Sequence, residues 1–123
     1  MAISGIGYAN IFVSDIDRAV SFYRDQLGMT LNFADSEHGY ASLQAGPISL
    51  GLALPGDQAG LVGRHTGLGL VVDDLEAEHA RLQAAGVQFS MAPEHQPWGG
   101  FMALVDDPDG NVLYLDQVTA AHP

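Results

Sequence analysis

The chain has 123 residues, a formal net charge of −11 and no cysteine, and its four basic side chains are all arginines. This balance argues against nucleic-acid binding through phosphate contacts, and the lack of cysteine excludes disulfides and thiolate catalysis. No apolar run approaches the length of a membrane span, and we expect a cytoplasmic protein without a membrane partner.

The first half of the chain predicts a strand, a short helix and three further strands. Alternating side chains indicate a strand over residues 6–13, and Ser14 or Asp15 is placed to cap the helix that follows. Gly28 supplies the left-handed turn that ends this helix. The three remaining strands are predicted at 29–34, 39–45 and 47–54.

The last of these strands has two unlike faces. Large apolar side chains alternate with small ones along it, which is typical of a strand with one buried face. The apolar face is predicted to hold Ile48, Leu50, Leu52 and Leu54. The opposite face holds Ser49, Gly51 and Ala53. A face of such small residues leaves room for a bound molecule.

The second half repeats this order after a glycine-rich linker. Superposing Asp15 on Asp74 aligns the starts of the two helices, and one residue must then be dropped before Gly28 meets Gly86. A repeat of this length indicates a duplicated β-α-β-β-β unit and an α+β fold. The chain is therefore read as one domain with a first module, a linker and a second module at residues 5–54, 55–64 and 65–118.

The second module is predicted to begin with a strand at His65 and to continue with a helix from Leu75 to Ala85. Asp107-Pro108-Asp109-Gly110 predicts a tight turn, because proline fixes φ and glycine accepts a positive φ. The last three strands are predicted near 87–91, 100–106 and 111–117.

Four motifs together resemble the vicinal-oxygen-chelate superfamily, which includes glyoxalase I, the extradiol dioxygenases and the fosfomycin- and bleomycin-resistance proteins. The motifs are Asp15-Ile16 with Phe22-Tyr23 and Leu27-Gly28, Val72-Asp73-Asp74-Leu75, Trp98-Gly99, and Asp107-Pro108-Asp109-Gly110-Asn111. The resemblance implies paired βαβββ modules whose sheets form a cup, or partly open barrel. It also implies assembly as a homodimer.

Metal-using members of this superfamily hold a divalent ion at four equivalent strand positions. The resemblance assigns these positions to Tyr8, Ser49, Gly67 and Tyr114, with Gly51 replacing Ser49 if the alignment slips by two. Divalent transition ions require imidazole or carboxylate ligands, and these residues offer neither. We therefore expect no metal and no cofactor. A slip of two on the third position would restore one ligand, His65.

The same strand faces supply the candidate ligand-binding residues. These are Tyr8, Asn10, Phe12, Ser49, Gly67, Trp98, Tyr114 and Asp116. Aromatic rings would stack on a planar ligand, Asn10 would donate or accept hydrogen bonds, and Asp116 would pair with a cationic group. Trp98 is either a stacking wall or a lid that plugs the barrel. No catalytic residue is identified.

These observations favour a metal-free protein that binds or sequesters a small molecule, as bleomycin-resistance members do. The ligand would be planar or amphipathic, with a positive charge as one option, and the role would be antibiotic resistance. The alternative is a metal-dependent lyase, isomerase or dioxygenase of the same superfamily. A metal-independent acid–base enzyme using Tyr8, Tyr114 or Asp116, or a purely structural role, are further options.

Overall fold

The computed structural model describes residues 2–118, which divide into two compact units, one ending at Gly63 and the other beginning at Arg64. The helix of the first unit continues from an α-helical part into a π-helical part, Ser21–Gln26. The elements of this unit are β1 (Tyr8–Phe12), α1 (Ile16–Val20), β2 (Thr30–Asp35), β3 (Tyr40–Ala45) and β4 (Ile48–Ala53).

The second unit repeats the order strand, helix and three strands. Its elements are β5 (His65–Val71), α2 (Leu75–Ala84), β6 (Phe89–His95), β7 (Phe101–Asp106) and β8 (Val112–Asp116). A single 3-10 turn, Ala59–Leu61, lies in the glycine-rich segment before β5. None of the helices in residues 2–118 is both long and apolar enough to cross a membrane.

Each unit forms one four-stranded sheet, with strand orders β1-β4-β3-β2 and β5-β8-β7-β6. The first strand of each unit pairs in parallel with the last, and the other neighbours are antiparallel. The predicted α+β class and the duplicated βαβββ order are therefore confirmed.

The two helices begin in the same way. The Asp15 carboxylate accepts a hydrogen bond from the Arg18 N–H at 3.0 Å, and the Asp74 carboxylate accepts one from the Ala77 N–H at 3.1 Å. An aspartate at this position satisfies an N–H group that the helix itself leaves unpaired. Asp15 is thus the cap of the first helix, which decides between the two residues that the sequence allowed.

Each sheet buries one face against the helix of its own unit. In the first unit α1 packs on β2, β3 and β4, and in the second α2 packs on β6 and β7. The buried rows of the sheets are Ile11, Ala41, Leu43, Leu50 and Leu52 in the first unit and Ala103, Val105, Leu113 and Leu115 in the second. The opposite face of each sheet carries no helix of its own unit, and we call it the helix-free face.

Two sequence predictions differ from the structure. Leu54 was expected on the core face of β4, but it lies beyond the end of the strand and is 42% exposed. The strand predicted at 87–91 runs instead from Phe89 to His95, so Glu94 belongs to a strand and not to a loop. Irregular pairing with β7 at two points lets β6 continue through Pro93, which lacks the N–H of a regular ladder.

The π-helical part explains why the two modules differ by one residue. In the first unit the Met29 N–H bonds to the carbonyl of Tyr23, six residues earlier, whereas in the second the Val87 N–H bonds to the carbonyl of Leu82, five residues earlier. Tyr23 and Leu82 are both fully buried. A wider helical turn therefore absorbs the extra residue between Tyr23 and Gly28.

Candidate ligand-binding site

Four of the predicted site residues lie together on the helix-free face of the first sheet. Residues directly opposite in adjacent strands share a face, and the register pairs Tyr8 with Ser49 and Asn10 with Gly51. Phe12 follows in the same row of β1, opposite Ala53. Tyr8 is 64% exposed, so its ring is available at the edge of this face.

Gly51 lies at the centre of this face and makes space for two polar side chains. The Tyr40 hydroxyl donates a hydrogen bond to the Asn10 side-chain oxygen at 3.2 Å. A Cβ atom on Gly51 would overlap both of these groups, and the Tyr40 Cζ would lie only 2.9 Å from it. Gly51 therefore has a packing reason to be glycine, and Tyr40 is a site residue that the sequence analysis missed.

Neutral polar groups continue across the sheet beside Gly51. Ser42 is opposite Gly51 on β3, and its buried hydroxyl accepts a hydrogen bond from the Asn32 amide at 3.2 Å. The same Asn32 amide donates to the Gln44 side-chain oxygen at 3.3 Å. This part of the face presents amides and hydroxyls without a charge.

A carboxylate lies at the far edge, where Asp35 is opposite Tyr40. The His38 backbone N–H donates to Asp35 at 3.1 Å, and the His38 ring lies 2.9 Å from the other carboxylate oxygen. These two contacts, the backbone bond first, hold the pKa of Asp35 below its usual value.

The helix-free face of the second sheet has a ring where the first has a glycine. Tyr114 lies between Gly69 of β5 and Leu104 of β7, and it is half-buried. In the next row Asp116 is opposite Met102, and Met102 is opposite Glu94. This face therefore combines a phenol, apolar side chains and two carboxylates.

The bulge in β5 changes which residue lies near Tyr114. His65 is opposite Val112 and Gly69 is opposite Tyr114, so three residues of β5 face a single residue of β8. Gly67 lies within this bulge at φ +73°, a conformation that side chains strongly disfavour. The His65 ring contacts the Tyr114 ring, with centroids 4.9 Å apart.

The strand register also changes which residues of the two modules correspond to each other. The Val13 N–H bonds to Ala53 and the Val72 N–H bonds to Asp116, which makes Gly51 the counterpart of Tyr114. Ser49 then corresponds to Val112. Since Ser49 faces Tyr8 and Val112 faces His65, the counterpart of Tyr8 is His65 and not Gly67. The sequence analysis assigned Gly67 to this position because the two residues that the bulge adds to β5 are not visible in the sequence.

The Asp107–Asn111 turn fixes the start of β5. One oxygen of the buried Asp107 carboxylate accepts from the backbone N–H groups of Asp109 and Asn111, at 2.9 and 2.8 Å. Its other oxygen accepts from the Asn111 side-chain amide at 2.9 Å. The Asn111 side-chain oxygen accepts from the backbone N–H of Arg64 at 3.1 Å, directly before His65.

Trp98 lies at the tip of the loop between β6 and β7 and is 62% exposed. The loop is closed by hydrogen bonds from the Gln96 N–H to Gly100 and from the Gly99 N–H to Gln96. At its base the His95 and Phe101 rings stack with centroids 4.3 Å apart. Exposure within its own unit is compatible with both roles predicted for Trp98.

The residues at the four equivalent positions do not fit a divalent transition ion. By register these positions hold Tyr8 and Gly51 in the first unit and His65 and Tyr114 in the second, so one imidazole is present and no carboxylate. Across residues 2–118 no group of three or more histidine, aspartate or glutamate side chains is arranged to hold a metal.

Comparison with known proteins establishes the family. The sequence model of the Glyoxalase/Bleomycin resistance protein/Dioxygenase superfamily matches residues 5–115. The chain belongs to this superfamily. A crystal structure of a superfamily member from Sphaerobacter thermophilus is similar with a TM-score of 0.82 and 28% identity, covering 96% of this chain and 100% of that one. The fold that the sequence motifs implied is thus confirmed.

Two other relatives carry functional names. A bleomycin resistance protein from Klebsiella pneumoniae is 34% identical over 116 residues, which cover 88% of each chain. The crystal structure of TnmS3, an antibiotic binding protein from Streptomyces sp. CB03234, is similar with a TM-score of 0.79 and 36% identity. That similarity covers 97% of this chain and 99% of TnmS3.

Proposed function

We propose that this chain binds and sequesters a small-molecule antibiotic without using a metal ion. The observation that carries the proposal is the set of residues at the strand positions where metal-using members hold their metal. On the two helix-free faces these positions do not supply a set of metal ligands. Gly51 and Tyr114 occupy equivalent positions, and neither supplies a divalent-metal ligand. The names of the Klebsiella and Streptomyces relatives support the choice of an antibiotic as the ligand.

The chemistry of the two faces supports a planar or amphipathic ligand that carries a positive charge. Tyr114 offers a ring for stacking beside apolar Leu104, and Asp116 and Glu94 lie in the adjacent row as acceptors for a cation. Asn10 and Tyr40 offer neutral hydrogen-bonding groups. Resistance would then follow from stoichiometric binding in the cytoplasm by a homodimer, with no turnover.

Titration with metal-free bleomycin, followed by calorimetry and by the fluorescence of Trp98, tests this proposal. Trp98 is the only tryptophan of the chain, so a change in emission reports on its loop. We expect binding with one affinity in the presence and absence of EDTA. Binding that EDTA abolishes and zinc or nickel restores would show that the metal-free proposal is wrong.

Variants of the second face show whether the binding occurs there. We expect Tyr114→Ala to weaken bleomycin binding about tenfold, since a lost aromatic contact is worth about 1.4 kcal/mol, whereas Tyr114→Phe keeps the ring and most of the affinity. Asp116→Asn should weaken binding of this cationic ligand. Asp25→Asn is the matched control, because Asp25 is an exposed carboxylate bonded to Arg24 on the helix.

A further inference from the structure

We infer that His65 is a fixed hydrogen-bond donor to the ligand, held in a tautomer whose one lone pair is already used by the Gly67 N–H and is not free for a metal. The inference rests on the proposed function for the identity of the ligand. It adds a residue and a recognition chemistry that the sequence alignment placed outside the site. The geometry of the bulge in β5 supports the inference, because His65 there contacts both Gly67 and Tyr114.

The backbone determines which ring nitrogen of His65 carries the proton. The Gly67 N–H donates a hydrogen bond to the His65 Nδ1 at 3.0 Å. An accepting nitrogen must present its lone pair, so the neutral ring has its hydrogen on Nε2. Nε2 is therefore a donor, and no atom within residues 2–118 accepts a hydrogen bond from it.

In this tautomer neither ring nitrogen has a free lone pair for a metal, because Nε2 carries the proton and Nδ1 accepts from the Gly67 N–H. A ligating histidine gives the lone pair of one nitrogen to the metal, and its other nitrogen carries the proton and donates to a carbonyl or carboxylate. Here the other nitrogen accepts from Gly67. A metal on Nε2 would require either the loss of this hydrogen bond or the removal of the Nε2 proton to leave an imidazolate.

The bulge that holds His65 is supported by its own side-chain hydrogen bonds. The Thr66 hydroxyl donates to the Val112 carbonyl at 2.9 Å and accepts from the Leu68 N–H at 3.1 Å, which satisfies groups that the irregular pairing would leave open. The bond from Arg64 to Asn111 fixes the residue before His65. These contacts define the position of the imidazole relative to β8.

The position of the ring specifies the group that it would recognise. The imidazole lies 4.9 Å from the Tyr114 ring at an angle of 60°, so a planar ligand stacked on Tyr114 would lie beside the imidazole. A neutral N–H donor selects an acceptor oxygen, such as a carbonyl or ether. The ligand class is therefore a planar ring system with an acceptor oxygen at its edge.

The first test is nuclear magnetic resonance of the ligand-free protein labelled with ¹⁵N at histidine. His65 is assigned from the signal that disappears in His65→Gln, and long-range ¹H–¹⁵N correlations identify the protonated nitrogen. We expect the Nε2-protonated form and no change in its nitrogen shifts on addition of zinc chloride. Protonation at Nδ1, or a zinc-induced shift of the His65 nitrogens, would overturn the inference.

The second test compares two amide substitutions by calorimetry with metal-free bleomycin. His65→Gln places an N–H donor near the position of Nε2, whereas His65→Asn retains only an acceptor near Nδ1 for Gly67. We expect His65→Gln to bind within about threefold of the wild type and His65→Asn to bind about tenfold more weakly. The opposite order, or equal affinities, would overturn the inference.

The two tests separate this inference from the proposed function. If wild-type protein does not bind bleomycin, the proposed ligand is wrong, and the nitrogen spectrum alone then decides the state of His65. If bleomycin binds equally to all three proteins while the spectrum shows Nδ1 protonated, the proposed function stands and the role of His65 is wrong.

Discussion

The two units share one plan, yet their helix-free faces differ at equivalent positions. Gly51 at the centre of the first face allows Asn10 and Tyr40 to lie over the sheet, while Tyr114 fills the corresponding position of the second face with a ring. At this position the first face therefore offers neutral hydrogen-bonding groups, whereas the second offers a ring with two carboxylates in the adjacent row. The two units therefore share their order of strands and helix but differ in the residues that their helix-free faces carry.

The first strands of the units differ in a related way. β1 pairs with β4 without interruption over five residues, whereas β5 contains the bulge at Gly67. In the second unit the Asp107–Asn111 turn, through the buried side chain of Asn111, ties the start of the strand in place. The irregular strand is thus the one with the extra anchor, which suggests that the anchor compensates for the lost pairing.

The largest expected effect comes from removing that anchor. Asn111→Ala should destabilise the fold by about 3 kcal/mol, because it removes the bond to Arg64 and one donor to the buried Asp107 carboxylate. Urea denaturation measures the loss. Asn32→Ala, the same change at an exposed residue of the first sheet, should cost less than about 1 kcal/mol. Equal losses would show that the anchor has no special role.

A smaller effect is expected from adding one methyl group to each sheet. Gly51→Ala should destabilise the protein by about 1 kcal/mol, since the new Cβ displaces the Asn10 and Tyr40 side-chain ends. Gly69→Ala should be neutral or stabilise by up to about 0.5 kcal/mol, because its nearest neighbour, the Tyr114 Cβ, lies at 3.9 Å. Thermal or urea unfolding of both variants tests the contrast, and similar results would contradict it.

The smallest effect concerns acid stability of the first sheet. The pKa of Asp35 is lowered in the folded state by the backbone and ring of His38, so the unfolded chain takes up its proton at a higher pH. The stabilising contribution is full above the usual carboxyl pKa and is lost as pH falls through the lowered value. Asp35→Asn should flatten the fall of the melting temperature in this range, whereas Asp57→Asn, a linker control, should not.

Most of the fold was predictable because its signals are local. Asp15 and Asp74 each cap a helix, and the glycines after the helices mark where the strands resume. The parts that were missed depend on pairing between strands. The length of β6 and the bulge in β5 arise from irregular register with neighbouring strands, which alternation along a single segment does not reveal.

The candidate site was predictable only in part for the same reason. Tyr8, Asn10 and Tyr114 follow from strand alternation in regular segments, and the structure places each on a helix-free face. Tyr40 required the cross-strand contact over Gly51, and His65 required the bulge. Gly67, within His65-Thr66-Gly67-Leu68-Gly69, was the available signal, since a glycine within a strand often marks a bulge.

The wider helical turn at Ser21–Gln26 has a consequence for how such a duplicated chain evolves. Because the added residue is taken up inside the helix, the chain that leaves it still bonds back to the same buried position, Tyr23 in the first unit and Leu82 in the second. A single-codon insertion in one copy of a repeated gene can thus be absorbed within a helix, while the chain beyond it still bonds to the equivalent buried residue.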